Sequence, residues 1–360
     1  MVRILHTADL HLDSAYAALS EERARRRRQE SRELVERLVD YANDHDVQLL
    51  LLPGDLFDSD ETYAQTGELL AQALSRFSGH TVIAPGNHDC YTARSAYARV
   101  LWPENVHIFT EDRLSHFDFP QYNCRVYGAA FTAPDASEYN LPEDVAEDGW
   151  VHLGVLHADL NNRDSRYRPV MTEQIARSGL DYLALGHIHA CSGICRAGRT
   201  AYAYSGCLEG RGFDELGEKG FLMGDVVPGK AELSFVPFAR HRYELLQVDV
   251  TEREVLDAVT EQLPQDTTAD IYRIVLSGET EEPVRLNHLR RELENRFYQL
   301  EVRDQTRLRQ DIWERCGEDS LRGLFLQNLR EKYDASSEAE KRTIEQAVRF
   351  GLAAMENREM

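Results

Sequence analysis

The stretch Val2-Arg3-Ile4-Leu5-His6-Thr7-Ala8-Asp9-Leu10-His11 places an aspartate and a histidine shortly after an apolar run. Its apolar first half is typical of a buried strand, and Asp9 and His11 follow directly after that strand. Open α/β sheets gather their ligands at the carboxyl ends of such strands. The sequence therefore predicts an α/β sheet with a polar site at the edge where the first strand ends.

Four further polar clusters repeat this arrangement: Gly54-Asp55-Leu56-Phe57-Asp58, Gly86-Asn87-His88-Asp89, His157 and Gly186-His187-Ile188-His189. Each follows a short leucine-rich or β-branched run, at 47–52, 81–84, 151–156 and 182–185. Because the strands of such a sheet end at one edge, we expect the clusters to meet there. Together they supply enough oxygen and imidazole ligands for two divalent metal ions.

Each cluster also has an ordinary explanation when it is taken alone. An Asp-x-His pair is common, and Gly-Asp and Gly-Asn pairs often form turns. The alternating histidines His187 and His189 could simply face solvent at a strand end. Five such clusters in this order, each at a strand end, favour one combined metal site over five independent turns.

The chain carries a strongly negative net charge, which bears on whether it can bind a nucleic acid. The 360 residues include 41 Lys and Arg against 62 Asp and Glu, a formal net charge of −21. This argues against a generally basic nucleic-acid-binding surface. Salt confines the field of exposed charges to about 8 Å, however, and bound divalent ions dominate the charge within their own site. A phosphodiester substrate is therefore not excluded.

The sequence shows neither a targeting signal nor a paired-cysteine motif typical of redox or zinc sites. The six cysteines form no CxxC pair, and the chain begins with a strand pattern rather than a charged leader or a long apolar segment. We therefore expect reduced thiols and a cytoplasmic protein that is neither exported nor membrane-spanning.

The pattern of elements predicts a four-layer α/β/β/α sandwich over residues 1–240. Helical segments are expected at 20–43, with Ser20 as N-cap, at 62–77 and at 170–178. The apolar runs 124–130, 201–205, 220–227 and 232–237 lie close together, which suggests antiparallel additions to a second sheet. A small α+β module follows at 241–310. The segment 311–360 has apolar residues at helical spacing over 320–333 and 337–355, which predicts a helical hairpin.

These motifs resemble those of the calcineurin-like metallophosphoesterases, and within them the bacterial DNA repair exonucleases of the SbcD and YhaO type. The resemblance rests on 4–12, 54–58, 86–89, 186–189 and 204–211 and covers about the first 240 residues. It implies that two divalent ions, most simply Mn²⁺, with Fe²⁺, Zn²⁺ or Mg²⁺ as alternatives, hold a hydroxide that attacks phosphorus in line. It also implies the ligands: Asp9, His11 and His189 for one ion, Asn87, His157 and His187 for the other, and Asp55 as the bridge.

The resemblance assigns catalytic roles to His88 and Asp58. His88 would protonate the leaving oxygen or stabilise its charge, and Asp58 would fix the His88 ring. The alternatives are a structural turn histidine and a capping or turn aspartate. Some nuclease relatives carry His at the position of Asp58, so the balance between exonuclease and endonuclease action stays open.

The implied function is a Mn²⁺-dependent 3′-to-5′ DNA exonuclease of DNA repair, with endonuclease activity left open. A small-nucleotide phosphodiesterase or phosphatase, and a scaffold subunit for an SMC-like ATPase, are the alternatives.

The 241–310 module resembles the cap of these nucleases. The implied partners are DNA and an SbcC-like or YhaN-like coiled-coil ATPase docked on the hairpin, which could equally pack on its own cap. A homodimer stays open. Arg23 and Arg25 to Arg28 either contact phosphates or form ion pairs along their helix.

Overall fold

The computed structural model describes residues 1–17, 19–59, 64–136, 141–145, 147–281 and 283–355. The chain divides into two compact units. The first unit comprises Met1–Arg211 and Glu218–Arg240, and the second comprises Gly212–Gly217 and His241–Met360.

The first unit alternates strands and helices over most of its length. Its elements are β1 (Val2–His6), α1 (Glu21–Asp44), β2 (Leu49–Leu52), α2 (Ala64–Ser75), β3 (His80–Ile83), α3 (Ala96–Arg99), β4 (Val106–Ile108), β5 (Ser115–Phe119), β6 (Cys124–Gly128), β7 (Val151–His157), α4 (Thr172–Ser178), β8 (Tyr182–Gly186), β9 (Cys195–Ala197), β10 (Thr200–Tyr204), β11 (Gly220–Val227) and β12 (Lys230–Pro237). Ser20 caps α1 by accepting from the Arg23 N–H, as predicted. The start of the helix predicted at 62–77 lies outside the described residues.

Two six-stranded sheets form the centre of this unit. The first has the order β12-β11-β1-β2-β3-β4 and the second β5-β6-β7-β8-β10-β9. The strands β1, β2, β3 and β4 run parallel to one another, and so do β6, β7, β8 and β10. Parallel strands are usually covered on both faces. The all-leucine strand β2 is accordingly buried along its whole length.

The side chains of β2 show how the layers pack. Leu50 and Leu52 join a cluster with residues of α1 and α2, whereas Leu49 and Leu51 join a cluster with residues of β7. A third cluster places Ile175 of α4 against the outer face of the second sheet. Because successive side chains of a strand point to opposite faces, these clusters define helix, sheet, sheet and helix layers. The predicted α/β/β/α sandwich is confirmed.

The predicted placement of four strands was partly wrong. β11 and β12 are antiparallel additions to the first sheet, where β11 pairs with β1, and not to the second. β6 and β10 do lie in the second sheet, where each has an antiparallel neighbour, β5 and β9, and a parallel neighbour, β7 and β8. Alternating apolar patterns identify strands, but they carry no information about which distant strand is the partner.

A buried histidine lies between the two sheets. The His6 ring has Nδ1 2.8 Å from the Tyr182 hydroxyl and Nε2 3.1 Å from the Leu185 carbonyl oxygen. Burial lowers the pKa of His6 to about 3, so the ring is neutral in the folded protein.

We expect His6→Gln to change the pH dependence of stability. The unfolded chain binds a proton at His6 below pH 6.5 but the folded chain does not, so the stability that neutral His6 provides is lost as the pH falls from 6.5 towards 3. Between pH 7 and pH 5 the free energy of unfolding of the wild type should fall by about 2 kcal/mol relative to the variant. Urea unfolding at both pH values measures this difference. If the difference in the free energy of unfolding between the wild type and His6→Gln were the same at both pH values, His6 would not be neutral in the folded protein.

The second unit contains a small parallel sheet and a helical hairpin. Its elements are β13 (Tyr243–Asp249), α5 (Val255–Thr260), β14 (Ile271–Ser277), β15 (Glu279–Thr280), α6 (Leu286–Leu293), β16 (Gln299–Asp304), β17 (Arg307–Leu308), α7 (Leu321–Asp334) and α8 (Glu338–Met355). The sheet has the order β13-β14-β16, and β15 pairs with β17. The helix α5 covers only six residues. The predicted hairpin corresponds to α7 and α8.

Candidate metal centre

The predicted polar clusters all lie at the carboxyl ends of parallel strands. In the first sheet they follow the neighbouring strands β1, β2 and β3, and in the second sheet they lie at the ends of the neighbouring strands β7 and β8. The loops after β1 and β2 are joined by main-chain hydrogen bonds from Asp9 to Gly54 and from His11 to Asp55, of 3.1 and 3.0 Å. The sheet topology thus explains how His11 and His189, 178 positions apart in sequence, reach one place.

The backbone is strained at the candidate ligands. Asp9, His11 and Asp55 have φ angles of 53°, 42° and 51°, in the left-handed region that non-glycine residues rarely occupy. Such conformations persist only where the surrounding structure imposes them, and they are concentrated at functional sites. Asp55 is also tightly packed, because a Cβ on Gly86 would lie 2.2 Å from its carboxylate oxygen.

Asp89 holds the loops after β2 and β3 together. Its carboxylate accepts hydrogen bonds from the N–H groups of Asp55, Leu56, Phe57 and Gly86 and from a tyrosine hydroxyl. Burial and the nearby Asp55 raise the pKa of Asp89 to about 6. Asp89 belongs to the motif Gly86-Asn87-His88-Asp89, but the sequence carries no signal of this structural role.

One group of candidate ligands contains Asp9, His11 and His189. One donor atom from each residue lies within 4.8 Å of the others, and the two histidine Nε2 atoms are 3.2 Å apart. Asp9 and His11 are buried and His189 is half-buried. The structure therefore brings together the three residues that the resemblance assigned to one ion.

A second group surrounds Asp55. Donor atoms of Asp9, Asp55 and His157 lie within 4.8 Å of one another, and His157 Nε2 is 2.9 Å from Asn87 Oδ1. Asp55 Oδ2 lies 3.4 Å from His157 Nε2 and 3.8 Å from His11 Nε2. One carboxylate oxygen thus faces both groups, as a bridging ligand would.

His187 lies beside the second group. Its ring centroid is 5.2 Å from that of His157, and its main-chain N–H donates to the Asp9 carboxylate at 3.1 Å. Its ring nitrogens are not part of the compact groups of donor atoms among the described residues. The structure therefore places His187 at the edge of the centre, next to its expected neighbour.

Hydrogen bonds fix the orientation of two imidazoles. His157 Nδ1 lies 3.0 Å from the Pro53 carbonyl oxygen, and His11 Nδ1 lies 3.1 Å from Asp58 Oδ1. Each Nδ1 therefore carries a hydrogen, which leaves the Nε2 lone pair directed at the centre. Metal-binding histidines are held in this way by carbonyl and carboxylate partners.

The charges of the site fit divalent cations. Burial and the nearby Asp55 raise the pKa of Asp9 well above its usual range, which shows that these carboxylates repel one another. Burial lowers the pKa of His157 to about 4, so this imidazole is neutral at pH 7. Buried carboxylates beside neutral imidazoles are costly unless a cation compensates them. Mixed carboxylate, amide and imidazole ligands suit Mn, Fe or Zn.

His88 and Asp58 lie at the outer side of the centre, but their contact differs from the expectation. The Asp58 carboxylate binds His11, whereas His88 Nδ1 lies 3.2 Å from the main-chain carbonyl oxygen of Asp58. The His88 side chain is exposed, and its main-chain N–H donates to Asp55 Oδ1 at 3.0 Å. A sequence motif places two residues near each other but cannot say which of their polar groups meet.

Two residues near the centre were missed as functional residues. Arg211 donates to Asp58 Oδ1 at 3.0 Å and approaches His189 Nδ1 at 3.3 Å. The Tyr167 ring lies 5.1 Å from the His187 ring, measured between centroids. The guanidinium of Arg166 lies 5.4 Å from the Tyr167 ring centroid. Arg211 ends one of the quoted motifs, which was the available signal. Tyr167 lies in a loop without such a signal.

The arginine-rich start of α1 is engaged in ion pairs. Arg25 pairs with Glu21, and both Arg26 and Arg27 pair with Glu30. Arg27 is fully buried and also donates to a main-chain carbonyl oxygen in the loop after β10. These contacts favour the ion-pair interpretation of this segment over phosphate binding.

Two bacterial proteins are similar to this chain in sequence. The chain is 30% identical over 298 residues to the "uncharacterized metallophosphoesterase YhaO" of Bacillus subtilis (strain 168), which covers 76% of this chain and 71% of the relative. It is 25% identical over 271 residues to the SbcD subunit of the nuclease SbcCD of the same organism, which covers 64% of this chain and 67% of the relative.

A solved structure, TT1561 of Thermus thermophilus, aligns at 16% identity with a TM-score of 0.41, over 65% of this chain and 99% of that one. Among the described residues, no helix is both long enough and apolar enough to span a bilayer.

The family model for calcineurin-like phosphoesterases matches residues 2–191, which is more than half of the chain. The chain belongs to the calcineurin-like phosphoesterase family.

Proposed function

We propose that this protein is a metal-dependent phosphodiesterase that hydrolyses DNA as a 3′-to-5′ exonuclease in DNA repair, with Mn²⁺ as its metal. The observation that carries the proposal is the meeting of five strand ends around Asp55, whose Oδ2 faces imidazoles on both sides. The family uses a dimetal centre. The proposed ligands are Asp9, His11 and His189 for one ion, Asn87, His157 and His187 for the other, and Asp55 between them.

The proposed chemistry divides between the ions and the protein. Two bound ions supply the charge that lowers the pKa of a water molecule and stabilises the phosphoryl oxygens. His88 is the proposed proton donor to the leaving oxygen, because it is the exposed histidine of the centre. Its Nδ1 is engaged with the Asp58 carbonyl oxygen, which leaves Nε2 for the substrate. Asp58 keeps His11 oriented.

Two observations favour DNA as the substrate. One of the relatives is a nuclease subunit by name. In addition, the half-buried Tyr167 ring beside His187 and the neighbouring Arg166 combine an aromatic surface with a cation. Proteins that bind single strands combine these groups to stack bases and to contact phosphates.

The helical hairpin is the proposed docking site for a coiled-coil ATPase of the SbcC or YhaN type. Leu321 and Leu324 of α7 are 73% and 65% exposed, and Phe350 of α8 is 49% exposed. Exposed apolar side chains at helical spacing are typical of helix-in-groove binding.

A digestion assay tests the proposed substrate. End-labelled duplex and single-stranded DNA, cyclic nucleotides and an aryl phosphodiester are incubated with the protein and Mn²⁺. We expect DNA to be shortened from its 3′ end. Turnover of the small esters alone would instead support a small-nucleotide phosphodiesterase, and turnover of none would support a scaffold subunit.

The substitution His88→Ala should slow DNA hydrolysis by on the order of 10² to 10⁴ through loss of the proton donor. A nitrophenolate leaving group needs no proton, so hydrolysis of bis(4-nitrophenyl) phosphate should be slowed much less. The comparison of kcat for the two substrates measures this. His116→Ala, which removes an exposed histidine of β5, is the control. Equal losses on both substrates would show that His88 does not act as the proton donor.

A further inference from the structure

Arg211 links two residues of the metal centre from outside. Its Nη1 donates to Asp58 Oδ1 at 3.0 Å, and its Nη2 lies 3.3 Å from His189 Nδ1. The side chain is 23% exposed, so that solutes can reach it.

The hydrogens in this group can be assigned from donor chemistry. A guanidinium can only donate, so His189 Nδ1 accepts from Arg211 and the hydrogen of a neutral His189 lies on Nε2. The Asp58 carboxylate accepts from His11 Nδ1, so His11 Nε2 is an acceptor. His189 Nε2 can then donate to His11 Nε2 across 3.2 Å. The four side chains form a closed ring of hydrogen bonds.

This arrangement conflicts with metal binding by His189. Its Nε2 can bind a cation only if the hydrogen moves to Nδ1, and Nδ1 then no longer accepts from Arg211. The positive guanidinium would also repel a divalent ion held by His189. In contrast, the bond between Arg211 and Asp58 is compatible with an ion, since Asp58 contacts His11 through Nδ1, away from the centre.

We propose that Arg211 compensates the negative charge of the metal-free centre and exchanges partners when the ion held by Asp9, His11 and His189 binds. Arg211 then leaves His189, stays on Asp58 and offers its Nη2 to a phosphate oxygen of the substrate. Arginine suits this second role because its guanidinium binds phosphate oxygens with directed hydrogen bonds. This inference rests on the proposed function and identifies a residue that binds the substrate phosphate.

The first test is calorimetric titration of the metal-free protein with Mn²⁺ alone. We expect Arg211→Ala to tighten one of the two Mn²⁺ sites by about tenfold, because a competing cation is removed, and to leave the other site unchanged. Asp58→Asn should weaken the same site by about 10- to 100-fold, the usual effect of losing a partner of a metal-binding histidine. Arg32→Ala is the matched control, since the Arg32 side chain is also 23% exposed and pairs with Asp13. It should bind Mn²⁺ as the wild type does.

The second test is the binding of inorganic phosphate to the Mn²⁺-loaded protein. We expect Arg211→Ala to weaken it by about tenfold and Arg211→Lys, which keeps the charge, to restore part of the loss. Weaker or unchanged Mn²⁺ binding in Arg211→Ala, or unchanged phosphate binding, would overturn the inference and leave the proposed function standing. A wild type that binds no Mn²⁺ would overturn both. Neither measurement depends on DNA cleavage.

Discussion

Asp55→Asn should abolish phosphodiester hydrolysis, with a loss on the order of 10³ or more, equivalent to about 4 kcal/mol of the barrier. The reason is that Asp55 Oδ2 faces both groups of candidate ligands, at 3.4 Å from His157 Nε2 and 3.8 Å from His11 Nε2. An amide oxygen carries no charge and bridges two cations poorly. Single-turnover hydrolysis of labelled DNA at saturating Mn²⁺ measures the loss.

The same variant should stay folded when metal is removed. Burial and Asp55 raise the pKa values of Asp9 and Asp89, whereas His157 and His11 lower the pKa of Asp55 itself against the effect of its burial. Asparagine removes the repulsion between the carboxylates together with the attraction to the histidines, so the free energy of unfolding with chelator at pH 7 should change little. An Asp55→Asn protein that is inactive only because it unfolds would refute this account of the residue.

Gly186→Ala should have the largest effect on the fold of the centre. A Cβ at this position would lie 1.9 Å from the Pro53 carbonyl oxygen and 3.0 Å from Ala8 Cβ. Main-chain atoms of the loop that follows β2 cannot move aside easily, and inserting a methyl group into a packed core costs about 1–3 kcal/mol and occasionally more. We expect a loss at the upper end of that range in urea unfolding, together with weaker Mn²⁺ binding because His187 and His189 follow directly.

Gly317→Ala is the control for this substitution. A methyl group placed at this position would have no neighbouring atom within 4 Å, and its φ angle is ordinary. Alanine should therefore change the free energy of unfolding by less than about 0.5 kcal/mol. Equal stability of the two variants would mean that the contact between Gly186 and Pro53 is not as tight as described.

Each residue that is predicted to bind metal carries a local signal in the sequence. Asp9, Asp55 and His187 all follow apolar runs, and a parallel sheet necessarily collects the ends of its strands at one edge. The left-handed backbone conformation of Asp9 and Asp55 carries no such signal. The ligand assignment itself remains a prediction.

The relations that sequence could not supply are those between distant segments. The pairing of β11 with β1 joins residues more than 200 positions apart, and the same alternating pattern would suit either sheet. Asp58 contacts His11 through its carboxylate and the His88 ring through its main-chain carbonyl oxygen. The sequence motif does not say which of these two groups faces which histidine. Asp89 and Arg211 act through hydrogen bonds to other site residues, which no spacing rule describes.

Anomalous X-ray diffraction at the manganese edge, from crystals grown with Mn²⁺, would show whether two ions bind where the five strands end. We expect two peaks about 3.5 to 4 Å apart, as in other two-metal sites, one bounded by Asp9, His11 and His189 and the other by Asn87, His157 and His187, with Asp55 between them. A single peak, or peaks away from Asp55, would contradict this expectation.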